Sequence, residues 1–175
     1  LPMVHGIRDY RGRVQSLLWR VLDGGPLLVA NAEAPVRHVY GPAVNRLIEQ
    51  LITEPPAKPG AWNLAQDETL SVRQVIEQIG ARVGVQPRII EVEHRLLEQR
   101  GLDPVDACAF SGKWMSCLDA SRARAELGFS HEPFQQYLHA MVDALVAQWS
   151  EAPIESMAQR PLELAAAREL GGSAA

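Results

Sequence analysis

The sequence predicts an α/β fold, and three observations carry that expectation. Short apolar runs alternate along the chain with longer stripes of helical spacing, as in α/β chains. Glycine and proline punctuate the ends of those stripes. The 175 residues are 47% hydrophobic and 22% charged. These are globular values, and a chain of this length can bury a core without a disulfide or metal staple. Seventeen Lys and Arg against 21 Asp and Glu leave a net charge of -4. That balance argues against nucleic acid or an anionic membrane surface as partner. No run approaches the roughly 18 apolar residues of a membrane span.

Leu1 to Gly6 reads as a buried strand leaving a sheet. It has neither the basic nor the long apolar region of a signal peptide. A chain that opens inside a core strand is expected to have had something before it. Arg8, Arg11 and Arg13, with Asp9 and Tyr10, form a polar loop. Val14, Leu17, Leu18, Val21 and Leu22 then recur at helical spacing, up to Gly24-Gly25-Pro26. Residues 26–30 and 36–40 read as two strands that could close a hairpin. Pro42 suits a first helical turn, and Val44, Leu47, Ile48, Leu51 and Ile52 form one buried stripe. The segment 54–60, rich in proline, breaks that helix. Residues 61–65 read as a strand. Ser71 and Gln74 have capping-box spacing, with Leu70 and Val75 placed for a hydrophobic staple. That helix ends at Gly84. A strand at 88–92 and a short helix at 94–100 follow. Residues 102–116 are irregular. Asp119 or Ser121 caps a short helix that stops at Gly128. Pro133 opens a longer helix with Phe134, Tyr137, Leu138, Met141, Leu145 and Trp149 on one face. After residue 150 an Ala- and Glu-rich tail reads as helical to about Leu170, with residues 171–175 fraying. The expected organisation is one unit over 1–150 and a tail over 151–175.

Cys108 and Cys117 fit neither a redox pair nor a zinc knuckle, and the five histidines show no metal-ligand spacing. The cysteines are read as reduced thiols of a cytoplasmic protein. Open α/β folds bind ligands at the carboxyl ends of strands. The loop holding Arg8, Tyr10 and Arg13 follows the first strand, and arginine forks suit phosphates and carboxylates. It is either a binding loop or an ordinary solvated one. Arg37, between Val36 and Val39, either faces a ligand or pairs with an acid such as Glu33. His5 lines a pocket or is a satisfied core histidine. Trp114 walls a pocket or belongs to the core.

The ordered motifs resemble the C-terminal half of extended short-chain dehydrogenases/reductases, the NAD-dependent epimerase/dehydratase family. They are Pro2 to Gly6, Asp9-Tyr10, Gly24-Gly25-Pro26, Arg37 to Tyr40, Trp62 to Ala65, Leu70-Ser71-Val72 and Asp119 to Phe129 followed by Pro133. Where the family has an acid at the start of the helix after the arginine strand, this chain has Ala43. The resemblance implies a Rossmann-like fold with a small substrate-binding α/β lobe. It also implies NAD or NADP in a complete enzyme, and a small-molecule substrate such as a nucleotide sugar. Pro2 and Val4 would lie against the nicotinamide, while His5, Arg8, Tyr10, Arg13, Arg37 and Trp114 would bind substrate. The sequence has no G-x-x-G-x-x-G, no G-x-G-x-x-G and no Y-x-x-x-K. The phosphate loop and the acid/base pair are therefore expected in a missing N-terminal half or a partner chain, and a homodimer is a further option. A non-catalytic binding or regulatory protein of the same descent, even an RNA-binding one, is the rival reading.

Overall fold

The computed structural model describes residues 1–113, 117–148 and 157–171. Strand β1 (Val4–His5) leads through the arginine loop into α1 (Arg13–Leu22) and β2 (Leu27–Val29). β3 (Pro35–Val36) and β4 (Val39–Tyr40) follow, with Arg37 and His38 between them. α2 (Gly41–Thr53) starts without a side-chain cap. Pro42 fixes φ in its first turn, which favours the helix start in the absence of a cap. β5 (Leu70–Ser71) runs directly into α3 (Val72–Val83). β6 (Ile89–Glu91), α4 (His94–Glu98) and α5 (Pro104–Ala107) come next. α6 (Ser121–Leu127), α7 (Phe134–Ala147) and α8 (Arg160–Gly171) complete the described chain.

The strands form three separate two-stranded ladders. β1 lies parallel to β4, with Val4 opposite Val39 and His5 opposite Tyr40. β2 lies parallel to β6, and β3 antiparallel to β5. The expected hairpin between 26–30 and 36–40 does not form. β2 is buried along its whole length and takes its partner from a distant segment, as buried parallel strands do. Residues 61–65 are not a strand either. Leu64 and Ala65 are buried, so their apolar pattern reports burial rather than pairing; the next residue donates from Gln66 N to His38 O. The first strand is shorter and more open than expected. His5 is buried, but Leu1 is 64% and Val4 39% exposed.

The helices fall where their periodicity places them, but α2 buries only part of its expected stripe: it packs along Ala43, Val44 and Leu47, while Ile48 and Ile52 are 49 and 75% exposed. Val14, Leu17, Leu18 and Val21 of α1 pack with Val75, Ile76 and Ile79 of α3 and Phe134, Leu138 and Met141 of α7. α3 carries the expected capping box: Ser71 Oγ accepts from Gln74 N at 3.2 Å, and Gln74 Oε1 accepts from Ser71 N at 2.8 Å. A second cluster joins α2, α6 and the 62–65 segment. A third joins Leu28 and Ala30 to Leu97 and to Ala166 and Ala167 of α8. Trp149 and residues 172–175 of the tail lie outside the described residues. Both cysteines are free, and no described helix is long and apolar enough to cross a membrane.

Candidate functional site

The loop after β1 is organised by Asp9. Its carboxylate accepts from the backbone N–H of Arg11 (3.1 Å) and of Arg13 (3.3 Å), and from Arg13 Nη1 at 3.0 Å to both oxygens. Asp9 thus serves the uncapped start of α1, whose N-cap Gly12 offers no side chain. Arg13 is held by this ion pair, so its charge is largely matched within the loop. Arg8 is exposed. Tyr10 is 89% exposed, with the Arg11 guanidinium 5.6 Å above its ring. Of the expected cluster, only Arg8, Tyr10 and Arg11 project outward.

Arg37 is half-buried and fixed by its neighbours. Its Nε and Nη2 donate to Thr69 Oγ1 (3.0 and 2.6 Å), and Nη1 donates to Leu118 O (3.3 Å). Glu33 is not its partner; that carboxylate pairs with Arg73 at 2.6 Å. Neutral oxygens therefore take the hydrogen bonds of Arg37, while the Asp119 carboxylate lies within reach of its charge. Neither Asp119 nor Ser121 is the cap of α6; Ala120 stands there without a side-chain bond, and Asp119, one residue earlier, accepts from Ser121 N and Oγ, both at 2.9 Å. Those bonds hold its carboxyl low, helped by Arg124 and Arg37. Pro2 is half-buried beside the exposed Val4. Trp114 lies outside the described residues.

His5 is a core histidine, but not a satisfied one. Its ring lies 4.2 Å from that of His38. Both residues are 1% exposed, and none of the four ring nitrogens has a hydrogen-bond partner. Phe110 stacks on His5 at 5.5 Å, and Tyr137 meets it edge-on at 6.3 Å. The Tyr137 hydroxyl donates to Gln66 Oε1 at 2.5 Å, and burial raises its pKa far above the usual phenol range. Sequence reading missed this cluster. The one signal for it was a histidine inside each of two short apolar strand segments.

Sequence reading also missed a groove of about 440 Å³ at the carboxyl ends of β2 and β6. Asn31, Glu91, Val92, Glu93, His94 and Lys113 line it. Asn31 there adopts a left-handed backbone, φ 61°, a conformation rare outside glycine and enriched in Asn. Among the described residues, none of the expected site residues lines this groove.

The described residues do not fit the pyrophosphate of a dinucleotide. Such a cradle needs a glycine-rich turn from a strand straight into a helix N-terminus. Here β1 reaches α1 through a seven-residue loop whose only glycines stand at its two ends, Gly6 and Gly12.

No protein-family model and no curated protein sequence matches the chain. Solved structures do. The UDP-glucuronic acid 4-epimerase of Bacillus cereus, in complex with UDP-glucuronic acid and NAD, superposes with a TM-score of 0.65 at 15% identity. The match covers 85% of this chain and 44% of that one. The α/β fold of this chain is similar to part of that epimerase's fold. The UDP-glucose 4-epimerase of Thermotoga maritima, with UDP-glucose, gives 0.61 at 17% identity, over 84% of this chain and 44% of that one. The dTDP-glucose 4,6-dehydratase of Bacillus anthracis, with NAD, gives 0.62 at 14%, over 92% and 45%. The chain therefore spans less than half the length of each of these enzymes.

Proposed function

We propose that the chain is the C-terminal, substrate-binding portion of an NAD(P)-dependent epimerase, dehydratase or reductase acting on a nucleotide sugar. The fold match carries this reading: several nucleotide-sugar enzymes superpose on most of this chain and on under half of their own. The sequence supports assignment to the C-terminal side, since its motif order follows that half and it lacks both the phosphate loop and Y-x-x-x-K. Arg37 and the loop carrying Arg8 and Tyr10 would hold the anionic part of the substrate. The complementary half would supply the cofactor cradle and the acid/base pair.

Titration calorimetry on this chain tests the division of labour. The expected result is no micromolar binding of NAD(H) or NADP(H), because the main anchor of a dinucleotide is absent. Micromolar binding of either would overturn it.

A further inference from the structure

We propose that His5 and His38 form an acid-sensitive clasp, which holds β1 on β4 while both rings are neutral and releases that ladder when they are protonated. The inference goes beyond the substrate reading, because the clasp acts on the ladder whatever the ligand.

The geometry carries it. His5 belongs to β1, and His38 immediately precedes β4. Their rings pack 4.2 Å apart at 48°, with Phe110 5.5 and 5.0 Å from the two centroids. The pair is packed as neutral aromatics. An imidazolium has two N–H donors, and a neutral ring has one. No protein acceptor faces any of the four nitrogens, so each added proton would place an unsatisfied charge in an apolar site.

The surrounding charges do not rescue it. From the β1–α1 loop and the head of α1 come Asp9 and Arg13, which already bind each other. From α7 comes the Tyr137 phenol, committed to Gln66, with the Glu68 carboxylate near that phenol. Each ring is also the other's like charge. Burial pushes His5 down to about 4, with Asp9 opposing and Arg13 adding to the shift. His38 falls for the same reason, then through His5 and Arg13.

The sign follows directly. Released rings take protons near their ordinary 6.5 and packed rings do not, so opening is promoted as pH falls from about 6.5 toward about 4. Each pH unit in that window multiplies the open-to-closed ratio by up to about ten per histidine. The consequence is local to two segments. His5 precedes Gly6 and the arginine loop, and His38 follows Arg37, so one opening frees both.

The test follows the histidine ring signals by NMR between pH 7.5 and 4.5, together with exchange of the Val39 amide. That amide donates to Met3 O at 3.0 Å and reports the ladder. Two of the five histidines should stay neutral until about pH 5. Over the same range Val39 protection, corrected for intrinsic exchange, should fall at least about tenfold between pH 6.5 and 5. In a His5→Phe, His38→Phe double variant that fall should vanish. The proposal is overturned if both rings titrate near 6.5 with Val39 still protected, or if the variant loses protection as the native protein does. Should the double variant not fold, the native titration alone decides between these outcomes.

Discussion

Arg37 is held in place by groups that carry no net charge of their own. The Thr69 hydroxyl and the Leu118 carbonyl hold its guanidinium from two sides, so little side-chain entropy remains to be lost on binding. Under the proposed function, Arg37→Ala in the complete enzyme should raise KM at least about tenfold, since 1.4 kcal/mol is a decade and a charge-assisted bond is worth about 1.5–3 kcal/mol. The turnover number should change less, because the contact would be made equally in ground and transition states. Steady-state kinetics with a nucleotide sugar measures both, and an unchanged KM would remove Arg37 from the site. The sequence pointed to Arg37 because a charge inside an apolar strand segment is costly without a partner. It could not identify the partners, since Thr69 and Leu118 lie far along the chain. Arg13 was expected at the site from its place in the arginine loop after the first strand, yet it folds back on Asp9 four residues earlier.

At the scale of elements, the helices were legible and the ladders were not. A 3.6-residue period runs through 10 to 14 residues in α1, α2, α3 and α7, which gives each burial stripe several repeats to show itself. The strands hold two or three residues each, too few for alternation to register, and tertiary contacts choose their partners. The docking of α8 was equally hidden, because it depends on charge. Glu163, fully buried, accepts from Arg20 Nη2 at 2.6 Å and Nε at 2.9 Å, and from Arg160 Nη1 at 3.0 Å. Arg160 in turn holds Asp23 at 2.7 Å. Burial alone would raise the Asp23 carboxyl, but the hydrogen bonds from Arg160 and the Gly25 N–H hold it below its usual value. Glu163→Gln removes the buried carboxylate that Arg20 and Arg160 share and should cost about 3–5 kcal/mol in urea unfolding. Adding Arg20→Met should recover part of that loss, since an apolar replacement removes one of the two buried cations. A loss below about 0.5 kcal/mol, the usual size of a surface substitution, would show that the pair does not anchor α8.

For the whole molecule, the question is what faces the open side of β1. Its one described partner is β4, and Leu1, Val4 and Ile7 stand 64, 39 and 42% exposed along it. Scattered exposed apolar residues need no explanation, but these three follow one another along a segment next to a two-residue ladder. The match covers only 44% of each of two matched enzymes, and in the proposed reading a parallel sheet from the complementary half closes that side. The reading separates two effects that ordinary destabilisation would join. Val4→Lys puts a charge where the side chain already meets water, so the stability of this chain should change by no more than about 0.5 kcal/mol. In the complete enzyme the same lysine would be buried against the neighbouring sheet, where an unpaired charge costs far more than one lost apolar contact. Activity and cofactor binding should then fall sharply, while the unfolding midpoint of the isolated chain stays in place. Full activity in the Val4→Lys enzyme would mean that this edge faces solvent there as well, and that the complementary half docks elsewhere.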